Sequence, residues 1–413
     1  MDLKPSFKSS YNKWSVRIFT LSFTVNLLAI GYRGNFTNVQ TWENGWIATN
    51  IIAGYGFAST YLTGALEPSS VMAPFYPYFL AALYSLVGQG LEVFVIIQII
   101  QAIVQAGTVV IVYYLAYSLF SKSVGAIAGT TYAMYPVSVY GVTVIHHMTF
   151  ATFMITALAV VALQTGRRET LQSATLLGVA LGSAALILPT VLVTAPLIAF
   201  WLVFREGVEQ PVKRISLVVL VAIVSFLVIS PWTIRNYLVH DQFVLVKFTG
   251  WNLFRSNYPP AIYTGIPNQL ADASNTIVNR VQGGMSKAET NDYLGRLAFE
   301  YILAHPVAFI IKFFENIFYL WWFPPTSERV AGQVPFIRKV VYTPVLISTI
   351  YGLIQSWGER DMGLIYAFFL AFSIGYGIFF VLPRYRVHTI LPFMFVFVGV
   401  TGASLLRRWQ LDI

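Results

Sequence analysis

The sequence predicts an all-α, polytopic membrane protein, and three observations carry that prediction. Of its 413 residues, 57% are hydrophobic and 10% charged, well below the roughly 25% charge of a soluble globular chain, so there is too little polar surface to face water all round. Apolar runs long enough to cross a bilayer recur along the chain. The short alternating segments that mark a membrane β-barrel, the other spanning architecture, are not seen.

The first apolar run covers residues 15–32. Lys4, Lys8, Lys13 and Arg17 precede or enter it, which predicts a cytoplasmic N-terminus on a retained signal-anchor helix. Residues 33–74 follow as a first extracytoplasmic loop. Within it, WIATNIIAGYGF predicts a short amphipathic helix with Trp46, Ile47, Asn50 and Ile51 on one face and Gly54 and Gly56 ending it. FYPYFLAALYSLVG, at 75–88, is short and Pro-interrupted, as for an interfacial or tilted helix. Further runs fall at 91–119, 123–145, 148–165, 171–188, 189–204 and 215–234. Their connections alternate so that Lys122, Arg167-Arg168 and the stretch Arg205 to Arg214 are cytoplasmic.

Residues 235–300 form a long polar extracytoplasmic loop, too long to be a mere connector. Four more runs follow, at 301–323, 340–357, 362–382 and 388–406. The first is interrupted by His305, Pro306, Lys312, Glu315 and Asn316. Lys312, Glu315 and Asn316 share one face, as in a helix lying in the interface. The sum is a single membrane domain over 1–413, with about ten to eleven transmembrane helices plus interfacial helices.

The net charge of +9 fits cytoplasmic loops and anionic headgroups rather than nucleic acid, because no basic run is interleaved with aromatics. With no cysteine, disulfides, thiolate nucleophiles and thiolate metal sites are excluded. The histidines lack metal-ligand spacing, and no P-loop, G-x-S-x-G or Gly-rich dinucleotide turn occurs. Neither a metal nor a nucleotide cofactor is expected.

Candidate site residues stand out by contrast with this background. Between Arg33 and Lys122 there is no Lys, Arg or Asp, and the only acids are Glu43, Glu67 and Glu92. Glu43 sits in TWENGW, where Trp42 and Trp46 should hold it near the headgroup level as a candidate general base. Arg235, in PWTIRNY, lies at the outer end of a helix beside aromatics and suits a phosphate, which a guanidinium grips with two parallel hydrogen bonds. Arg255, in GWNLFRSNYP, has a weaker claim of the same kind. PRYRVHTILPF places Arg384, Tyr385, Arg386 and His388 directly before the last span as a small cationic cluster. His146-His147 ends another helix and reads as cavity lining. Gln98, Gln101 and Gln105 form a stripe suited to interhelical hydrogen bonding.

The order of these features resembles the GT-C membrane glycosyltransferases. The likeness is to the bacterial family-39-like group related to protein O-mannosyltransferases and lipid A aminoarabinose transferase. The stretches that carry it are WENGWIATNIIAGYGF, PFYPYFLAALYSLVG, PWTIRNYLVHDQFVLVKFTGWNLFRSNYP and RYRVHTILPF. The resemblance implies that Glu43 is the catalytic base of an inverting transfer. It implies that Arg235, Arg384, Arg386 and, less directly, Arg255 hold the phosphate of a polyprenyl-phosphate-linked sugar, with no metal required. Trp46, His146, His147, Tyr385 and His388 are expected to line the cavity.

The acceptor would be a hydroxyl of a protein, lipid or glycan, and the enzyme would work at the outer face of the plasma (inner) membrane. The resemblance also puts RYR outside, which makes 301–323 interfacial. Two departures from the family pattern stand out. Trp42 precedes Glu43 where relatives often carry Asp-Glu or Asp. His146-His147 occupies a region where many carry a second acid, so Glu43 is left to act alone. An O-antigen ligase or polymerase would share the lipid-linked donor but need no acid in the first loop. A transporter or flippase should show inverted repeats or mid-membrane charges, and neither is visible.

Overall fold

The computed structural model describes residues 5–36, 39–62, 64–205, 211–258, 285–323, 334–359 and 361–408. It is helical nearly throughout. Helices α1 (Pro5–Arg33), α2 (Trp42–Ile52), α3 (Phe75–Val87), α4 (Leu91–Leu119), α5 (Lys122–Ala133) and α6 (Pro136–Val142) come first. They are followed by α7 (Met148–Arg168), α8 (Leu171–Ala185), a 3-10 turn at Pro189–Thr194, α9 (Ala195–Phe204), α10 (Pro211–His240) and α11 (Thr249–Asn257). The last are α12 (Lys287–Ala304), α13 (Pro306–Trp321), α14 (Val334–Gln355), α15 (Met362–Ile378), α16 (Pro383–Thr389) and α17 (Leu391–Arg408). Two short strands, β1 (Ala58–Ser59) and β2 (Glu67–Pro68), pair antiparallel in the first loop, with Ala58 opposite Pro68.

Six helices (α1, α4, α7, α10, α14 and α17) are long and apolar enough to cross a membrane. The pair α12–α13, bent by 106°, is a seventh candidate, and four shorter apolar helices, at Phe75–Val87, Leu171–Ala185, Pro189–Phe204 and Met362–Ile378, pack among them. The protein is therefore a multi-pass membrane protein, with six to seven candidate spans among the described residues where the sequence led to an expectation of about ten to eleven; the shorter apolar helices fall below spanning length.

One expected span is not a single helix. The run at 123–145 divides at Met134-Tyr135 because Pro136 cannot continue a preceding helix and instead opens α6. The 12 residues of α5 rise only about 18 Å, against a hydrocarbon core of about 30 Å. The run at 301–323 also breaks at a proline, Pro306, and turns sharply there. As expected, Lys312 and Asn316 share a face. Both reach the carbonyls that end α15: Lys312 donates to Ile378 O, and Asn316 to Gly377 O and Phe379 O. Part of the expected 235–300 loop, residues 259–284, lies outside the described residues.

Every residue of α17 from Leu391 to Phe397 is buried, which makes it the central helix; α4, α5 and α14 pack around it. Elsewhere small residues set the helix spacing, as is usual where lipid removes the hydrophobic drive between helices. On α8, a Cβ at Gly178 would stand 2.7 Å from the Val224 Cβ, and one at Gly182 the same distance from the Val228 Cβ. The Ser225 hydroxyl donates to Gly178 O across the same contact, at 3.0 Å. Gly182→Leu should force α8 and α10 apart and destabilise by about 1–3 kcal/mol. A lowered melting temperature of the purified protein is the check, and an unchanged one would contradict this packing.

The order of the helices fixes two ends. α1 finishes, and α7 and α17 begin, close to Glu43, as the cavities below show. Lys122, Arg167, Arg168, Arg205, Arg214, Arg407 and Arg408 gather at the opposite end. There Asp361, with its side chain 3% exposed, accepts from Arg205 at 2.7 Å and Arg167 at 2.9 Å. Arg214 pairs with Glu169 at 2.7 Å, and Arg167 also donates to Ser118 O at 3.0 Å.

Candidate active site

Glu43 stands in the first turn of α2, where a carboxylate complements the positive end of the helix. The helix begins at Trp42, four residues earlier than the sequence pattern indicated. Trp42 adopts φ +45°, a left-handed conformation that costs a bulky residue on the order of 1–3 kcal/mol and that clusters at functional sites. Gly45 is needed because the Thr41 side chain folds over the place a Cβ would take. The inward face of α2 is Asn44, Ile47 and Ala48; Ala48 packs with Tyr76, Leu80, Ile97 and Ile145, and Ile47 with Phe57, Val71 and Trp232. Trp46, expected on that face, is 56% exposed and lines neither cavity described below. The buried face runs through Asn44, Ile47 and Ala48, and Trp46, about 200° around the helix from Asn44, falls off it.

Two cavities meet at Glu43. One, of about 520 Å³, is lined by Arg33, Trp42, Tyr135, Tyr140, Arg338, Tyr342, Arg384, Arg386 and His388, among others. The other, of about 480 Å³, is lined by Tyr61, His147, Phe248, Arg255, Tyr376 and Tyr385, among others. Glu43, His146, Met148 and Arg384 belong to both. The two ends of the chain thus converge as expected, with Glu43 and the RYR cluster on the same side of the helix bundle. Among the described residues Glu43 has no ion-pair partner.

The arginines differ in how far they are committed. Arg384, at the start of α16, is exposed to the cavities, and its guanidinium lies 5.6 Å from the Tyr385 ring. Arg386 is buried, donates to Trp322 O at 2.9 Å and lies over the Tyr342 and Phe323 rings at 4.0 and 4.3 Å. Burial lowers its pKa. Arg255 reaches the second cavity only, 5.5 Å from the Trp251 ring.

Arg235 is not brought to the site. It donates to Ser69 O at 2.6 Å, Phe57 O at 3.1 Å and the Asn236 side chain at 2.9 Å, and lies over the Trp232 and Phe57 rings. It pins the β1–β2 hairpin to α10 instead of facing either cavity.

The three histidines of the site are neutral at physiological pH. Burial pushes His147 down to about 3, with Arg384 nearby adding to the effect. His388 is pushed to about 3 by burial, then by His147 and Arg384. His146 falls well below its ordinary value through burial first, then His147, Arg384 and His388. The Thr152 hydroxyl gives its proton to Met148 O at 2.9 Å, so at 3.0 Å it accepts from His388 Nδ1, leaving Nε2 as the acceptor. The positive charge around Glu43 therefore comes from arginines. Among the described residues no three of His, Asp and Glu stand together as metal ligands.

The glutamine stripe on α4 holds the loop that carries the His pair. Gln101 donates to Val142 O and Val144 O, both at 2.8 Å, and accepts from Tyr76 OH at 2.9 Å and from the His146 amide. Gln98 donates to Asn35 O at 2.7 Å and Thr143 O at 3.3 Å. Four residues not singled out in the sequence also belong here: Arg33, Tyr61, Tyr135 and Tyr342. Tyr61 titrates upward through burial, with Arg255 opposing and Glu43 reinforcing the shift, which places it within electrostatic reach of the acid. An aromatic-rich chain gives no signal for such tyrosines.

Residues 67–234 match the family model for dolichyl-phosphate-mannose-protein mannosyltransferase. That is less than half of the chain, and it leaves Glu43 and Arg384 on either side. The archaeal oligosaccharyltransferase AglB from Archaeoglobus fulgidus, in complex with an inhibitory peptide and a dolichol-phosphate, aligns over 98% of this chain at 14% identity, with a TM-score of 0.59. The same organism's oligosaccharyltransferase tethered to an acceptor peptide aligns over 98% at 15% identity, with a TM-score of 0.58. The chain spans about half the length of these solved structures, 51% and 50%. ArnT from Cupriavidus metallidurans bound to undecaprenyl phosphate aligns at 12% identity over 96% of this chain and 78% of its own, with a TM-score of 0.43. No curated protein matches.

The chain thus shares the fold of these archaeal oligosaccharyltransferase structures over nearly its whole length, and its residues 67–234 resemble the mannosyltransferase family.

Proposed function

We propose that the protein transfers a sugar from a polyprenyl-phosphate donor to an acceptor hydroxyl, with inversion, at the extracytoplasmic face of the plasma membrane. One observation carries the reading: Glu43 and the exposed Arg384, from opposite ends of the chain, line the same two cavities. The Glu43 carboxylate takes the proton of the acceptor hydroxyl as its oxygen attacks the anomeric carbon. The bond from that carbon to the phosphate oxygen breaks, and the leaving polyprenyl phosphate gains a negative charge that Arg384 stabilises.

The step uses neither a metal nor a nucleotide. The matched archaeal structure in complex with a dolichol-phosphate supports a lipid carrier of this kind. Orientation follows from the basic residues at the end away from Glu43, which the positive-inside tendency assigns to the cytoplasm. Arg386 supports the cavity wall, Arg255 borders the second cavity, and Arg235 has a structural part.

The test is transfer from synthetic polyprenyl-phosphate sugars by the purified protein in nanodiscs. Arg384→Gln should raise the donor KM by roughly tenfold or more, the effect of one lost charge-assisted hydrogen-bonding group. No turnover with any such donor, or an unchanged KM in the variant, would count against the reading.

A further inference from the structure

The 520 Å³ cavity carries more positive charge than its donor requires. Arg33, Arg338, Arg384 and Arg386 line it, and among the described residues Glu43 is the only acid in its lining. A polyprenyl-phosphate sugar is a phosphodiester with one negative charge, rising to at most two on the leaving carrier, against four arginines in this cavity. Arg386 is held by Trp322 O and two aromatic rings. Arg33 and Arg338 remain, both exposed towards the cavity. They belong to this cavity and not to the second one.

Arg33 is preorganised as well. It donates to the Thr143 hydroxyl and, at 3.1 Å, to Tyr140 OH, and lies 4.2 Å over the Tyr140 ring. Its planar fork is thus fixed in direction, with N–H donors left over, the arrangement that grips an oxyanion bidentately. Arg33 and Arg338 are exposed and have no ion-pair partner among the described residues, so both are available to an oxyanion that enters the cavity. Trp42, Tyr135 and Tyr140 add flat aromatic faces beside these cations.

From this surplus we infer that the cavity holds a second oxyanion besides the donor phosphate. It is carried by the acceptor, which is an acidic saccharide, one bearing its own phosphate or carboxylate, bound through Arg33 and Arg338. The inference rests on the donor assignment above and goes beyond it by naming the acceptor class.

The experiment uses the full-length protein in phosphatidylcholine nanodiscs saturated with undecaprenyl phosphate, titrated with glucose 6-phosphate and with glucose. The sugar phosphate should bind at least about tenfold more tightly than glucose while the carrier stays bound, one tenfold step being one good charged contact. Arg33→Gln with Arg338→Gln should erase that difference and leave carrier affinity unchanged. Arg338→Gln alone, an exposed position that can be changed without loss of fold, should shift it in the same direction.

Displacement of glucose 6-phosphate by the carrier would mean one anion site and overturn the proposal. Equal binding of glucose, or an unaffected double variant, would also overturn it, as would an acidic peptide that binds as tightly. Loss of sugar-phosphate binding in phosphatidylglycerol nanodiscs would identify the second anion as a lipid headgroup, and the acceptor assignment would fall. Failure of the carrier itself to bind would instead refute the donor reading.

Discussion

Glu43→Gln is expected to lower sugar transfer by roughly 10²–10⁴-fold, the usual effect of removing a positioned general base, while the protein still folds and still binds its lipid carrier. The amide keeps the shape of the carboxylate, and Glu43 is only partly buried with no ion-pair partner among the described residues, so no structural debt is incurred. It borders both cavities, which places the lost proton acceptor where an acceptor oxygen and a donor carbon can meet. Single-turnover transfer, carrier binding and melting temperature measured on the same preparation separate the chemical effect from the others. Turnover within about threefold of the unmodified protein would remove Glu43 from the role of base. The histidines are poor replacements as the base of this step, because burial holds all three well below the ordinary imidazole range.

Asp361→Ala is expected to cost about 3–5 kcal/mol of stability, the range for removing one partner of a buried ion pair. Its side chain is 3% exposed and holds Arg205, itself 6% exposed, at 2.7 Å; Arg167, 40% exposed, contributes less. Without the carboxylate, Arg205 is left as a buried cation where α7, α9 and α15 come together. Asp361 also adopts φ +69°, a left-handed geometry that Asn tolerates better than Ala, so Asp361→Asn should lose less than Asp361→Ala. Thermal unfolding in a fixed detergent ranks the three. An alanine variant as stable as the unmodified protein would show that the cluster is not a structural lock. No activity change beyond that caused by unfolding is expected, since α7 places about 30 Å between this cluster and the site.

Much of the architecture was legible because lipid imposes a simple rule: long apolar runs become helices. The limits of α4 and α3 follow the sequence closely for that reason. Prolines were read less well, since Pro136 splits a run whose hydropathy alone looks continuous. In the site, the meeting of Glu43 with the Arg384 cluster was legible through motif order and helix parity. The part played by Arg235 was not. A guanidinium beside tryptophans at a helix end can serve a phosphate or a set of backbone carbonyls, and only the fold shows that Ser69 O and Phe57 O claim it. Trp46 failed for a geometric reason, since the face of α2 that packs inward is that of Asn44, Ile47 and Ala48, which Trp46 does not share. Arg33 and Arg338 carried no motif and became visible only as neighbours of a shared cavity. The glutamine stripe was read as interhelical hydrogen bonding, and Gln101 does join α4 to Tyr76 of α3 and to the end of α6, while loop carbonyls supply further partners.

The wall between the two cavities has a consequence for how substrates could pass one another. Four residues belong to both, and two of these, Glu43 and Arg384, are flexible side chains on short elements. A partition of that kind opens by rotamer exchange, on the picosecond-to-nanosecond scale of exposed side chains, without waiting for a slower movement of the backbone. Traffic between the compartments is then gated by the same carboxylate and guanidinium that are assigned the chemistry. A bound anion that draws Arg384 to itself would close or open the passage in the act of binding, so order of entry would be a property of two side chains.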